Sequence, residues 1–334
     1  MPAPAGLRVL GSVAYGKFCV TLPIPSETPE LPHSIVIVTG ANGGLGFEAS
    51  KHLSRLGVGK LIMAVRNADK GEEAKMRILA STERPESSIE VWDLDMDSNA
   101  SIEAFANRVA DLPRLDGVLA NAGIMTTKFN LSEGNERSFN INVVGTFFLL
   151  LLLLPKMRES GKNTGSPCRF SIPNSALHYV APLSELQPGD RSIIDRLNDP
   201  KTSDMQGRYN LTKLLVVYLV REFAGRCQSS TKGTCIINTP NPSFCKSNLA
   251  QDERAAGYKV FEATMARSTE EGSRVLVNGL LAGSETNGHY LTNCKVQMPS
   301  SHVTSDWGQE VQVRFFNELL DKVDKIRPGI SSHI

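Results

Sequence analysis

No C-x-x-C pair occurs anywhere in the chain. The six cysteines, Cys19, Cys168, Cys227, Cys235, Cys245 and Cys294, stand far apart, and no histidine sits at metal-ligand spacing from them. That excludes a zinc module and reads as reduced thiols in a cytoplasmic protein, with a buried disulfide as the alternative. An excess of one charge is lacking as well: the formal net charge is +1 and the basic residues are scattered, so no field gathers polyanions and nucleic acid is not an expected partner. Internal repeats and low-complexity tracts are missing. The stretch before Ser34 has no uninterrupted apolar core behind a basic start and no small-residue cleavage site, so a signal peptide is not expected. Residues 1–33 read instead as an extension packed on the surface. Long apolar runs are also scarce. The exception, "VVGTFFLLLLLLP" at 143–155, is bracketed by Asn142 and "PKMRES" and falls short of the roughly 20 residues that cross a bilayer. Apolar on all sides, it reads as a helix buried between its own core and a further layer, with a partner subunit as one candidate for that layer.

What the chain does have is alternation. "SIVIVTG" is a β-branched run ending in glycine, and the helix "LGFEASKHLSRLG" follows with Leu45, Ala49, Leu53 and Leu56 on one face. "KLIMAV", a helix apolar at Ala74, Ile78 and Leu79, "IEVWDLD", "SIEAFANRVADL" and "DGVLANAG" continue the pattern, and "CRFSI", a helix from about Tyr209 to Ala224, "GTCIINT" and "GQEVQVRFFNELLDKV" come later. Strands alternating with helices of this length imply a parallel sheet with right-handed crossovers. The expectation is a single α/β domain over 34–325, a Rossmann-type doubly wound sheet of about seven strands. Insertions fall near 176–206 and 244–268, and a tail follows at 326–334.

Three motifs carry chemistry. "TGANGGLG", Thr39 to Gly46, lies where the first strand turns into its helix, where glycines admit a pyrophosphate and a helix N-terminus offers it free N–H groups. Nucleotide binding is the expectation, with an ordinary tight turn as the bland alternative. About 20 residues further on, where an acidic residue would hold the ribose of NAD, stands Arg66, and a guanidinium suits the 2′-phosphate of NADP. In "RYNLTK", Tyr209 and Lys213 share one helix face. A free phenol has a pKa near 10, and a close ammonium would lower it toward use at neutral pH.

The order of these motifs resembles the short-chain dehydrogenase/reductase family over about residues 34–325, and within it the retinol-dehydrogenase-like branch, above all members from fungal secondary metabolism. "DLD" (Asp93 to Asp95), "NAG" (Asn121 to Gly123), "FNINVVGT", "PNSA" and "YNLTK" stand where that family has its adenine segment, its fourth-strand motif and its active-site Asn, Ser, Tyr and Lys. The resemblance implies a carbonyl/alcohol oxidoreductase using NADP(H), with Tyr209 as proton donor, Lys213 lowering its pKa, Ser175 bonding the substrate oxygen and Asn142 holding a water. It implies cofactor contacts at Gly40, Asn42, Gly44, Leu45 and Gly46, at Arg66, at Asp93 and Leu94, at Asn121, Ala122 and Gly123, at Tyr209 and Lys213, and at Pro242 and Ser247. A homodimer through the Val143–Leu154 and Tyr209–Ala224 helices is the implied assembly, and no metal is implied.

Two departures lie at the reactive end. Pro173 and Asn174 precede Ser175 where relatives carry a β-branched residue and a serine; since proline cannot donate to a ladder, the strand should end at about Ile172, with Ser175 in the loop beyond. Ser243 stands where relatives have a glycine beside the nicotinamide, so a left-handed backbone there would be strained. These departures sustain a second reading, a same-fold NADP-binding protein that is a sensor or a catalyst of cyclisation or isomerisation. His178 and Tyr179 are candidates for the pocket wall, with plain packing as the alternative.

Overall fold

In the computed structural model, residues 5–246, 249 and 258–334 are described; Ser247 and part of the 244–268 insertion lie outside the described residues. Strand β1 (Ile35–Thr39) is buried along its whole length. A strand covered on both faces has to be apolar throughout, which is why its run does not alternate. On one side of it lie β2 (Lys60–Val65) and β3 (Ile89–Asp93); on the other lie β4 (Gly117–Leu119), β5 (Cys168–Ser171), β6 (Cys235–Asn241) and β7 (Tyr290–Thr292), all parallel. The expected number of strands therefore describes the parallel part. An eighth strand, β8 (Lys295–Gln297), pairs antiparallel with β7, and both residues of the connecting turn, Asn293 and Cys294, have positive φ. β8 is exposed throughout, so no alternation marks it in the sequence. The strand order reverses at the neighbours β1 and β4, which places the ligand crevice of such a sheet at their carboxyl ends.

Helices cover both faces. α2 (Gly44–Arg55), α3 (Ala68–Thr82) and α7 (Thr269–Leu281) enclose one core, in which Ala49, Leu53, Ile78 and Leu276 are buried against β1 and β2. α4 (Asn99–Ala110), α5 (Arg137–Thr164), α6 (Arg208–Gln228) and α8 (Asp306–Ile326) enclose the other. The N-terminal extension forms α1 (Ala5–Cys19), with Val13 and Gly16 buried and Leu7, Leu10, Tyr15 and Phe18 exposed. All six cysteines are free.

α5 contains the apolar run of the sequence; the whole helix, longer than that run, is long and apolar enough to cross a membrane, and 89% of its apolar window is buried within this one chain. It runs on through Pro155, where the sequence suggested an end. Proline lacks the N–H that would satisfy the carbonyl four residues back. Here that carbonyl, Leu151 O, accepts instead from His333 Nδ1 at 2.8 Å, so the C-terminal tail supplies the missing donor. The layer covering α5 and α6 is α8: Phe316 meets Phe147 edge-on at 5.3 Å between centroids, Phe315 lies 6.4 Å from Phe139, and the Arg226 guanidinium sits 4.5 Å over Phe316. Phe139 and Phe147 of α5 are thus packed by the chain's own C-terminal helix. Phe316→Ala should cost about 3–5 kcal/mol in urea unfolding, as for other buried aromatics, and light scattering at micromolar concentration should return the mass of one chain.

Candidate active site

The crevice begins at the end of β1. Gly40 has φ +63°, and a Cβ there would lie 3.1 Å from Ala122 Cα; at Gly46 a Cβ would fall 2.4 Å from Asn121 Nδ2 and from Gly40 O. These two glycines let the first turn of α2 close onto the β4 loop. Gly43 and Gly44 are different: a Cβ on either meets nothing within 4 Å, so the backbone between them borders open space. α2 starts there without a side-chain cap and without an acidic residue in its first turn. Its free N–H groups and positive dipole end are what a pyrophosphate needs, and the residues fit that group. Asn42 and Leu45 are half-buried beside the turn, and Arg66 is exposed just past β2. Asp93 is exposed at the end of β3, while Leu94 is buried and its N–H donates to Val65 O at 2.9 Å.

After β4 the chain is spliced to β1 by side chains. Asn121 Nδ2 donates to Thr39 O at 3.0 Å and Gly40 O at 3.3 Å, and Ala122 N donates to Thr39 Oγ1 at 2.8 Å. A Cβ on Gly123 would stand 3.0 Å from Asn142 Oδ1. Asn142 lies in a π-helical segment of α5, Asn140–Gly145. Its Oδ1 accepts from Ile124 N at 2.9 Å, and its Nδ2 donates to Ile124 O at 2.9 Å and Thr212 Oγ1 at 3.3 Å. Both amide protons are thus engaged, so a water at this residue would have to donate to it.

Tyr209 and Lys213 stand one turn apart in α6, with Lys213 Nζ 5.4 Å from the centre of the Tyr209 ring. The ammonium donates to Pro173 O at 2.8 Å. Removal from water holds the phenol above its ordinary pKa and brings the lysine down to about 8. In the chain by itself desolvation acts on Tyr209 against the lowering expected from Lys213, whose ammonium turns to the Pro173 carbonyl. β5 ends at Ser171, close to expectation. Ile172 N and Asn174 N still donate to Asn238 O and Pro240 O on the β6 side. Residue 173 belongs to the alternate row facing β4, whose pairing ends at Leu119, so proline costs no ladder bond there. Ser175 caps the turn Ala176–Val180, its Oγ accepting from Leu177 N at 3.2 Å. That bond uses a lone pair and leaves the hydroxyl proton free to donate.

The short chain dehydrogenase family model matches residues 34–166. A short chain dehydrogenase/reductase of Cryptosporiopsis sp. is 38% identical over 322 residues, 96% of this chain and 98% of that protein. The chain belongs to the short-chain dehydrogenase/reductase family. A family member from Phaeosphaeria nodorum is 35% identical, covering 94% of this chain and 93% of its own. Among solved structures, the short chain dehydrogenase from Shigella flexneri superposes with a TM-score of 0.58 at 20% identity, over 83% of this chain and 97% of that one. The alcohol dehydrogenase from Thermococcus sibiricus complexed with 5-hydroxy-NADP gives 0.56 at 19% identity, over 80% and 97%.

The site of this family member has supports that the motifs do not reveal. Arg208, fully buried, pairs with Glu136 (3.2 Å) and Glu185 (2.7 Å). Glu136 also caps the start of α5 through Ser138 N and Phe139 N. One guanidinium thus joins the origins of the two helices that carry Asn142 and Tyr209. Thr212 Oγ1 donates to Tyr209 O at 2.7 Å, and Asn174 bonds Lys213 O, Thr239 Oγ1 and Ser175 N. Pro242 is buried, and Ser243 has φ +68°, the left-handed backbone that a glycine takes without strain. Ser243 N–H donates to Asn241 Oδ1 at 2.9 Å.

His178 is a packing residue, with no exposed surface. Its Nδ1–H donates to Ser175 O at 2.8 Å and its Nε2 accepts from Ser300 N at 3.2 Å, which fixes the Ser175 turn. Tyr179, half-buried, donates its hydroxyl to Met298 O. Burial brings His178 down to about 4. Below about pH 6.5 the unfolded chain binds a proton there that the native state refuses, so stability is complete above that pH and is lost as pH falls toward 4. Urea unfolding at pH 7, 6 and 5 should show this loss, on the order of 3 kcal/mol when complete, and His178→Asn should flatten the slope.

Proposed function

We propose that the chain is an NADPH-dependent carbonyl reductase or alcohol dehydrogenase acting on a small to medium apolar biosynthetic intermediate, such as a polyketide-like or terpenoid ketone. The observation that carries this reading is the link from Lys213 Nζ to Pro173 O, which ties the Tyr209 helix to the Ser175 turn at the carboxyl edge of β5, next to the α2 cradle. When bound, the nicotinamide supplies or accepts a hydride. Tyr209 gives its proton to the carbonyl oxygen, a transfer that needs a positioned acid. Ser175 donates its free hydroxyl proton to the same oxygen as charge develops on it. Lys213 would orient the ribose and, through a water held at Asn142, return the proton to Tyr209. The left-handed Ser243 favours the alternative, a same-fold protein whose chemistry is not redox.

Support for NADP over NAD comes from Arg66, exposed at the end of β2 where the 2′-phosphate would lie, and from the NADP analogue in the Thermococcus sibiricus structure. We place the protein in the cytoplasm on its six free thiols.

Tyr209→Phe should reduce NADPH consumption with a responsive ketone at least about 100-fold, as loss of a general acid does, while the NADPH dissociation constant by fluorescence stays within about twofold. Unchanged turnover in that variant rules out the reductase. Arg66→Ala should weaken NADPH about tenfold or more, worth about 1.4 kcal/mol, and leave NADH binding unaltered. Equal affinities for the two nucleotides in both proteins would remove the 2′-phosphate role.

A further inference from the structure

The N-terminal helix α1 lies over the reactive end of the site. It packs against the Ala176–Val180 turn that Ser175 opens, and against the short helix Tyr258–Met265. Its inward stripe runs through Val9, Val13 and Gly16, residues at helical spacing, and the last two are buried. Gly16 is the point of closest approach. A Cβ built there would stand 3.4 Å from Arg267 Nη2, 3.6 Å from Ser243 Oγ and 3.6 Å from Asn293 Oδ1. One helix therefore spans from the Ser175 turn to the Ser243 turn, the two loops that flank the reacting carbonyl in the reading above.

Arg267 holds the helix in place. It is 2% exposed, and among the described residues it forms no ion pair with a carboxylate. Its Nη2 donates to Gly16 O. Gly16 lies in the last turn of α1, where carbonyls lack partners within the helix and the dipole end is negative, so the helix terminus acts as the counter-charge of a buried cation. Arg267 is bound in turn to the loop after β6, its N–H donating to Phe244 O at 2.8 Å and its carbonyl accepting from Lys246 N at 3.0 Å. Arg267 Nη1 and Asn293 Oδ1 are buried without a hydrogen-bond partner, a donor and an acceptor next to Gly16.

We propose that α1 is the outer wall of the substrate site and that Gly16, by letting the helix lie close to Ser243 and Arg267, limits the size of carbonyl compound accepted. Gly16 is thus a specificity-determining residue. This rests on the reductase reading, so the test has to separate the two. NADPH oxidation is measured with a small dione, 2,3-butanedione, and a bulky one, 9,10-phenanthrenequinone, in the full-length wild type, Gly16→Leu and Gly16→Ala. A leucine at 16 has no room and lifts the helix. The ratio of kcat/KM for the bulky over the small probe should rise at least about fivefold, a change of about 1 kcal/mol by the tenfold-per-1.4 rule, with NADPH affinity within about twofold. The alanine methyl would stand 3.4 Å from Arg267 Nη2, at the tight limit of ordinary contact, so it moves the helix only slightly in a protein that folds as the wild type does, and a smaller rise is expected. A ratio unmoved in both variants, or a parallel loss on both probes, overturns the wall and leaves the reductase standing. A wild type that binds NADPH and reduces neither probe overturns the reductase reading and the wall with it.

Discussion

The arrangement of the site depends on one buried guanidinium. Arg208 has no exposed surface, and its partners Glu136 and Glu185 are equally enclosed. Taking three charged groups out of water is expensive, and a buried ion pair is a poor source of net stability. Its value lies in geometry. Glu136 is at once the cap of α5 and the partner of the residue preceding Tyr209, so the helices bearing Asn142 and Tyr209 start from a shared point. Asn142 and Thr212 then form a second tie further along, and Thr212 returns to the Tyr209 carbonyl. Removing one member of the triad would strand the others in the interior, at a cost of about 3–5 kcal/mol. The spacing of Asn142 and Tyr209 is thereby coupled to folding itself.

The second constraint is the apolar helix. Over 143–154 α5 shows no polar face, so that stretch is stable only when something lies on every side of it. The sheet supplies one side, α4 and α6 the flanks, and α8 the remainder. Its length past Pro155 follows from the tail, since His333 satisfies the carbonyl that proline orphans. The sequence announces that this helix must be covered, yet does not reveal by what. A partner subunit and a C-terminal helix would bury such leucines equally well; in the folded chain Phe315 and Phe316 of that helix pack on Phe139 and Phe147.

What was legible in the sequence was local. The glycine turn reads correctly because its requirements, a positive φ at Gly40 and no Cβ at Gly46, are met within a few residues of the motif. The strands read correctly because a doubly covered strand must be apolar throughout, and β8 was missed because an exposed three-residue edge strand has no such requirement. Pro173 read correctly as marking the strand end. The supports of the site were not legible, because they join residues far apart in the chain: Glu136 with Arg208, His178 with Ser300, Gly16 with Arg267. A lone buried arginine or a glycine in a surface helix has no local pattern to betray it. His178 shows the same limit, since a histidine in a loop looks alike whether it faces a substrate or, as here, locks a turn between two backbone groups.

The electrostatics of Tyr209 and Lys213 then take a different sense from the one their spacing suggests. A lysine one turn away from a tyrosine invites the picture of a phenolate stabilised by an ammonium. In the folded chain both groups are partly withdrawn from water, which disfavours the charged form of each, pushing the phenol up and the lysine down to about 8. A phenol held protonated across neutral pH is a reluctant base and a dependable reservoir of a proton. That suits reduction of a carbonyl, where the oxygen gains charge as hydride arrives and takes the proton only then. Oxidation of an alcohol would need the phenolate, at about 1.4 kcal/mol for each pKa unit between the phenol and the working pH. Ser175, with one lone pair tied to Leu177 and its proton free, has a donor to offer the same oxygen.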